Sequence, residues 1–334
     1  DEARMALRLL CALIPAQAFI DLEYFPIVVL RGVNLSLEKG HIPESVTAYS
    51  SAGMIFSGHL DDLDLAHDLC GLALEISERK GFAAQRAAAA NFLTVTVRCW
   101  FESIRETASI VDDAFLASME AGEFEYTGFI RANKATFGFW MGDPLDEVLQ
   151  WLPEERDLWI ERGNLLSANI IATVLEASKA LASGEWDLHF HGGAEPEKRF
   201  LERCLDADQH WAICLHHVLE AQVLMMCGEE HAALEAMAKA KESIGTWAGF
   251  YGVAEYVMTR ALLQLRARGA EGIPTIGEAR ASLARWARRC PANFEHARLL
   301  LEAEVARLEG DHTRAPELYE AAIDQARRAQ FHHW

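Results

Sequence analysis

The sequence has no long uncharged apolar run and no basic stripe. Every stretch of about twenty residues contains a charged side chain, whereas a membrane-spanning helix needs about twenty mostly apolar residues. The chain carries 31 Lys and Arg against 50 Asp and Glu, a net charge of −19. Rows of phosphates are bound by clustered cations, which this chain lacks. We therefore expect neither membrane insertion nor nucleic acid binding.

A signal peptide and paired cysteines are also missing. Acidic Asp1 and Glu2 stand where a signal peptide would carry positive charge. The seven cysteines are scattered and never form a C-x-x-C pair, a pattern typical of buried thiols in a reducing compartment. The sequence begins without Met and stops at Trp334 directly after a helical pattern. Together these features predict a cytoplasmic fragment of a larger protein.

No catalytic motif is present. The sequence contains neither a G-x-x-x-x-G-K-[ST] phosphate loop nor the Gly-rich, H-R-D and D-F-G signatures of protein kinases. Ser36 and Lys39 have S-x-x-K spacing but lack the S-D-N and K-T-G motifs that accompany it in serine acylases. We therefore predict no catalytic residue and no cofactor in this segment.

Thirteen histidines raise the question of a metal site. His189 and His191 are one residue apart, and His216 adjoins His217 on a predicted helix. A zinc site needs three or four ligands in fixed geometry, and the H-E-x-x-H motif is absent. The sequence therefore favours solvated loop histidines and packed helix histidines, and it predicts no metal site.

Two stretches of the last third can be superimposed without a gap. In each, the intervals from the first Ala are seven residues to Gly, five to Ala, four to Met or Tyr and three to Ala. The matching residues are Ala221, Gly228, Ala233, Met237 and Ala240, then Ala303, Gly310, Ala315, Tyr319 and Ala322. These offsets suit a tetratricopeptide hairpin, in which small residues lie at the helix crossing and Gly closes the first helix.

Glycines able to close a first helix recur along the chain. Most are separated by 41 to 44 residues, and the interval of 84 between the first two is twice 42. They are Gly58, Gly142, Gly184, Gly228, Gly269 and Gly310. The spacing predicts an all-α fold, a right-handed superhelix (α-solenoid) of about seven TPR-like antiparallel helical hairpins. It also predicts a single domain over residues 1–334.

Local signals refine this pattern. Asp143 and Pro144 predict one helix start, and Thr313 with Pro316 predicts another. Pro26 favours a helix over a strand for the β-branched run that follows it. Glycine and proline predict irregular loops near residues 188–197 and 269–277, as insertions in the repeat.

Several segments resemble a known family of large bacterial multidomain kinases. They are VNLSLEKGHIPESVTAYSSAGMIFSG at 33–58, FWMGDPLDEVL at 139–149, RCPANFEHARLLLEAEVARLEGD at 289–311 and ELYEAAIDQAR at 317–327. In that family a helical repeat lies between a signalling ATPase and a GAF domain with a histidine kinase, and some members begin with a Ser/Thr kinase. The resemblance covers nearly the whole chain but transfers no catalytic residue, and residues 189–197 match no family motif.

Nine tryptophans offer a possible binding surface. A groove for a peptide or small molecule would need exposed rings, and the alternative is that the tryptophans fill the core between hairpins. If a groove exists, we expect Trp140, Trp247, Phe250 and Tyr251 to line it.

The sequence thus predicts a non-catalytic regulatory, sensing and protein-interaction scaffold in a signal transduction kinase. Its expected partners are the ATPase and kinase domains of the same protein, a regulatory protein or peptide, or a small-molecule ligand. An alternative is the ligand-binding repeat domain of an ATP-dependent transcription activator. An unrecognised helical enzyme is a third reading.

Overall fold

The computed structural model describes residues 2–20, 24–80, 82–122, 124–183 and 189–331. These residues form helices and connecting turns, with no strand among them. The all-α prediction is therefore confirmed for the described chain. By their packing, the helices form two compact units.

The first unit comprises residues 1–100, 105–131 and 248–250. Its helices are α1 (Glu2–Ile20), α2 (Phe25–Lys39), α3 (Ser45–Gly58), α4 (Leu63–Lys80), α5 (Ala83–Phe92), α6 (Ile104–Ala121) and the start of α7 (Phe124–Met141). A π-helical turn, Leu93–Val97, and a 3₁₀ turn, Arg98–Trp100, follow α5. The helix predicted after Pro26 is α2, which has this proline in its first turn.

The second unit comprises residues 101–104, 132–247 and 251–334. After the end of α7 come α8 (Leu145–Glu161), α9 (Leu165–Ser183), α10 (Ala194–Asp206), α11 (His210–Cys227), α12 (Glu230–Ser243), α13 (Gly252–Arg268), α14 (Gly277–Arg289), α15 (Pro291–Leu308) and α16 (Arg314–Arg328). Within this unit α8 packs on α9, α11 on α12, and α15 on α16.

The two superimposable stretches form the predicted hairpins, α11 with α12 and α15 with α16. Gly228 has φ +82° and Gly310 has φ +79°, the left-handed conformation that glycine adopts without strain. Each closes its helix in a Schellman motif, since the N–H of Glu229 donates to the carbonyl of Leu224 and that of Asp311 donates to the carbonyl of Ala306. Gly142, with φ +70°, ends α7 in the same way.

Other glycines depart from the prediction. Gly58 is the last residue of α3, and a Cβ there would collide with the backbone of Ala248 and Gly249, so close approach rather than a left-handed turn requires glycine. Gly269 ends α13, but a 3₁₀ helix, Gly269–Ile276, follows it. Gly184 lies outside the described residues. The single domain and the count of seven hairpins stay predictions.

The helix starts agree with the prediction in position but differ in the residue that caps one of them. Helix α8 begins at Leu145, directly after Pro144, and α16 begins after Thr313. The side chain of Asp311 accepts the N–H of Arg314 at 2.9 Å and that of Thr313 at 3.3 Å, so Asp311 provides the capping oxygen that we expected from Thr313.

Both predicted irregular loops contain helical turns. Residues 269–276 are 3₁₀ helix, with Gly272 and Ile276 buried. In the first loop, Phe190–Gly192 form a 3₁₀ turn and α10 starts at Ala194. Local hydrogen bonds and burial order the described parts of both segments, and the prediction that they are irregular insertions in the repeat stays a prediction.

Helix α9 is the one described helix that is long and apolar enough to cross a membrane by length and composition. Half of its apolar window is buried inside the protein, and a core helix passes the same test. It packs against α8 and α11. This is weak evidence for a membrane span, and packing accounts for the apolar composition.

Candidate functional site

The four residues predicted to line a groove are buried. Trp140 and Trp247 are fully buried, Tyr251 is 1% exposed and Phe250 is 4% exposed. In the second unit the ring centroid of Trp140 lies 5.9 Å from that of Trp247 and 5.9 Å from that of Tyr251. Phe250 belongs to the first unit. These rings therefore occupy core positions in this structure, and binding by them stays a prediction.

A polar network runs beside the aromatic residues of the second unit. Trp140 Nε1 donates to Gln222 Oε1 at 3.2 Å, and Gln222 Nε2 donates to Glu255 Oε2 at 3.0 Å and to Thr259 Oγ1 at 3.2 Å. Burial raises the pKa of Glu255 to about 7, although hydrogen bonds from Gln222 and Tyr251 oppose this shift. The network joins α11 to α13 through groups that the sequence did not single out.

The four paired histidines noted in the sequence come together at a second place in this unit. We call the group formed by His189, His191, His216, His217, Glu197 and Glu220 the histidine–glutamate cluster. The histidines come from the turn before α10 and from α11, and the glutamates lie in the first turn of α10 and in α11. The structure thus joins residues that are distant in the sequence.

Glu197 is the centre of this cluster. Its Oε1 accepts the backbone N–H of Phe190 and contacts His216 Nε2, each at 3.0 Å, and its Oε2 lies 2.9 Å from His189 Nδ1. Burial raises the pKa of Glu197, but the hydrogen bonds from His216, His189 and Phe190 outweigh burial and bring the pKa to about 2. The ionised carboxylate therefore holds the turn at 189–191 against α11.

Helix α11 supplies the other half of the cluster. His217 Nδ1 lies 2.9 Å from Glu220 Oε2, and His216 Nε2 lies 4.0 Å from the same oxygen. The His216 side chain is fully buried, and those of His217 and Glu220 are 8% and 11% exposed. Burial lowers the pKa of His217, which favours its neutral imidazole. Two imidazoles and a carboxylate thus share one buried face of α11.

His191 closes the cluster on the loop side. Its ring stacks on Phe200 with a centroid distance of 4.0 Å and lies nearly parallel to His216 at 5.7 Å. Its backbone has φ +60°, and its N–H donates to Glu176 Oε2 at 3.1 Å. Burial and the neighbouring His216 lower the pKa of His191 to about 4. The ring is therefore a neutral, packed group at ordinary pH.

The sequence contained part of this arrangement. In the run HHVLE, His216 and Glu220 are four residues apart and so face the same side of α11. Glu197 carries no such local signal, because it lies nineteen residues from His216 and only the packing of α10 on α11 brings it close. Imidazole nitrogens and carboxylate oxygens are ligands for transition metals, so the cluster has the chemistry of a metal site.

The described part of the chain is thus helical and contains the histidine–glutamate cluster. No family model matches the chain. Among curated proteins it is similar to "Hybrid signal transduction histidine kinase G" of Dictyostelium discoideum, with 25% identity over 161 residues. The match covers 47% of this chain and 5% of that protein. The chain is therefore distantly similar to a small part of a signal transduction kinase.

Proposed function

We propose that this chain is a non-catalytic regulatory segment of a signal transduction histidine kinase. The observation that carries the proposal is the 161-residue similarity to a hybrid histidine kinase, in a chain whose described residues are helical. The resemblance of the chain to the repeat region of multidomain kinases supports the same role. In this role the segment senses a partner or transmits its state between an ATPase and a GAF and histidine kinase output.

The architecture that we propose for this role is a TPR-like α-solenoid of about seven hairpins in the cytoplasm. Two hairpins support it, because α11–α12 and α15–α16 share both the spacing and the Schellman closure. Repeat arrays present extended surfaces to other proteins. We therefore propose protein partners, including the other domains of the same kinase, and no nucleic acid or inserted membrane segment.

The reading frame around this segment tests the proposed context. We expect sequences that encode an ATPase on one side and a GAF domain with a histidine kinase on the other. A complete reading frame without kinase modules contradicts the proposal. A helix-turn-helix module after the segment instead supports a transcription activator.

Assays of the purified chain test the non-catalytic half of the proposal. We expect neither ATP hydrolysis nor phosphotransfer above the level of a mock purification. An activity that copurifies with the chain and disappears when one of its own residues is substituted would contradict this half alone.

A further inference from the structure

Ligand atoms of three side chains in the histidine–glutamate cluster come together on α11 of the second unit. They belong to His216, His217 and Glu220, and they all lie within 4.8 Å of one another. We propose that these three side chains bind one divalent transition-metal ion of the zinc class. This inference goes beyond the proposed function and replaces the sequence-based expectation of no metal site.

The donor separations suit a small tetrahedral ion. Zinc bonds to nitrogen or oxygen are about 2.0–2.1 Å long, so ligand atoms at the corners of a tetrahedron are roughly 3.3 Å apart. The distance from His217 Nδ1 to Glu220 Oε2 is 2.9 Å, and the ligand atoms of His216, His217 and Glu220 all lie within 4.8 Å of one another. Side-chain adjustments of up to about 1.5 Å would bring these atoms to the required separation.

The charge of the cluster favours a cation. The Glu220 side chain is only 11% exposed, and in the described part of the chain it forms no ion pair with Lys or Arg. Burying a carboxylate costs free energy unless a positive charge or hydrogen bonds compensate it. A divalent ion held between Glu220 and the two imidazoles would supply that charge.

His216 provides an independent observation. The side chain is fully buried, and its Nδ1 has no hydrogen-bond partner among the described residues. Because Nε2 donates its proton to Glu197 Oε1, Nδ1 is the ring nitrogen with an unused lone pair. Buried polar atoms are almost always paired, and a metal bond from Nδ1 would use this lone pair while keeping the hydrogen bond to Glu197.

The ligand set consists of three side chains of one helix. Three protein ligands leave a fourth position, which water fills in zinc sites of this kind. Glu197 of α10 accepts the proton of His216 Nε2, so it would orient this ligand from the neighbouring helix. Metal occupancy would therefore stabilise the packing of α10 on α11.

Zinc binding to the whole purified chain tests the proposal. After chelator treatment and dialysis, we expect one Zn²⁺ per chain by titration calorimetry and a higher melting temperature with Zn²⁺ than with the chelator. Co²⁺ should give the intense visible absorption of a tetrahedral site. A folded chain that binds no Zn²⁺, or a Co²⁺ spectrum typical of octahedral coordination, overturns the proposal.

Substitutions locate the site. We expect His217→Asn and Glu220→Gln each to weaken Zn²⁺ binding at least about tenfold, since even outer-shell partners of metal ligands contribute that much. The matched controls are His231→Asn and Glu235→Gln, an exposed pair of the same types on α12 whose side chains are 91% and 65% exposed. Unchanged affinity in the cluster variants, or an equal loss in the controls, overturns the proposal. The Co²⁺ spectrum of the unsubstituted chain decides the question if a cluster variant does not fold.

Discussion

Two buried glutamates of the second unit have opposite pKa shifts. Glu197 is held ionised because two imidazoles and a backbone N–H donate to it. Burial dominates at Glu255, and the hydrogen bonds from Gln222 and Tyr251 only partly offset it. The number and type of donors, rather than burial alone, therefore decide which carboxylate carries charge.

Glu255 should make stability depend on pH. Its pKa is raised from 4.5 to about 7 in the folded chain, so between these values the folded state binds the proton more tightly than the unfolded state. The free energy of unfolding should therefore fall as pH rises from about 4.5 to about 7, by roughly 3 kcal/mol from this group. Urea denaturation of the chain and of Glu255→Gln across this range measures the contribution as the difference between them.

The control for this prediction is Glu278→Gln, which removes an exposed carboxylate from α14. It should leave the pH profile of the free energy of unfolding unchanged. If Glu255→Gln and the unsubstituted chain show parallel profiles, Glu255 does not titrate in this range and the prediction is wrong.

At the scale of helix pairs, the crossing of α3 and α4 depends on a missing side chain. A Cβ on Gly53 would overlap Cys70 Sγ and lie 3.1 Å from the carbonyl oxygen of Ala66. We expect Gly53→Ala to lower the free energy of unfolding by about 2 kcal/mol, since added atoms in a packed crossing force the helices apart. Gly71→Ala on α4, where nothing lies within 4 Å, should raise it by up to about 1 kcal/mol through helix propensity. If urea denaturation shows that Gly53→Ala and Gly71→Ala change the free energy of unfolding in the same direction, this account of the crossing is wrong.

The turn between α11 and α12 provides a second test at this scale. Gly228 has φ +82° and open space around its Cβ position, so a side chain there meets backbone strain but no collision. Gly228→Ala should cost about 1 kcal/mol of unfolding free energy. Gly245→Ala is the matched control, because that glycine also has open space but no positive φ. Equal effects of the two substitutions on the urea midpoint would show that the left-handed cap contributes nothing.

For the whole molecule, the dominant electrostatic feature is the net charge of −19. Like charges repel more strongly in the compact state than in the unfolded chain, and dissolved salt screens this repulsion. We expect the melting temperature to rise by roughly 2 °C between about 20 mM and about 300 mM NaCl. A rise of this size corresponds to an increase of about 1 kcal/mol in the free energy of unfolding. A melting temperature that falls with salt would show that attractive ion pairs outweigh the net repulsion.

Periodicity made the helices and the two C-terminal hairpins predictable. Ala221, Ala233 and Ala240 are all fully buried, as the offsets predict. The pattern is visible in the sequence because a close helix crossing needs small residues, and the turn beside it needs a left-handed glycine, at fixed positions. The 3₁₀ turns at 190–192 and 269–276 were not predicted. The sequence shows where glycine and proline lie, but it does not show which contacts order these segments.

The sequence by itself determined the helical class, the caps at Gly142, Gly228 and Gly310, and the state of the cysteines, six of which are buried and none of which forms a disulfide. Each follows from local geometry or from composition. The tertiary structure alone decided that the aromatic residues pack in the core, that Glu255 lies among them, and that Glu197 meets His216. These outcomes depend on which helices pack together, and no spacing along the chain encodes that choice.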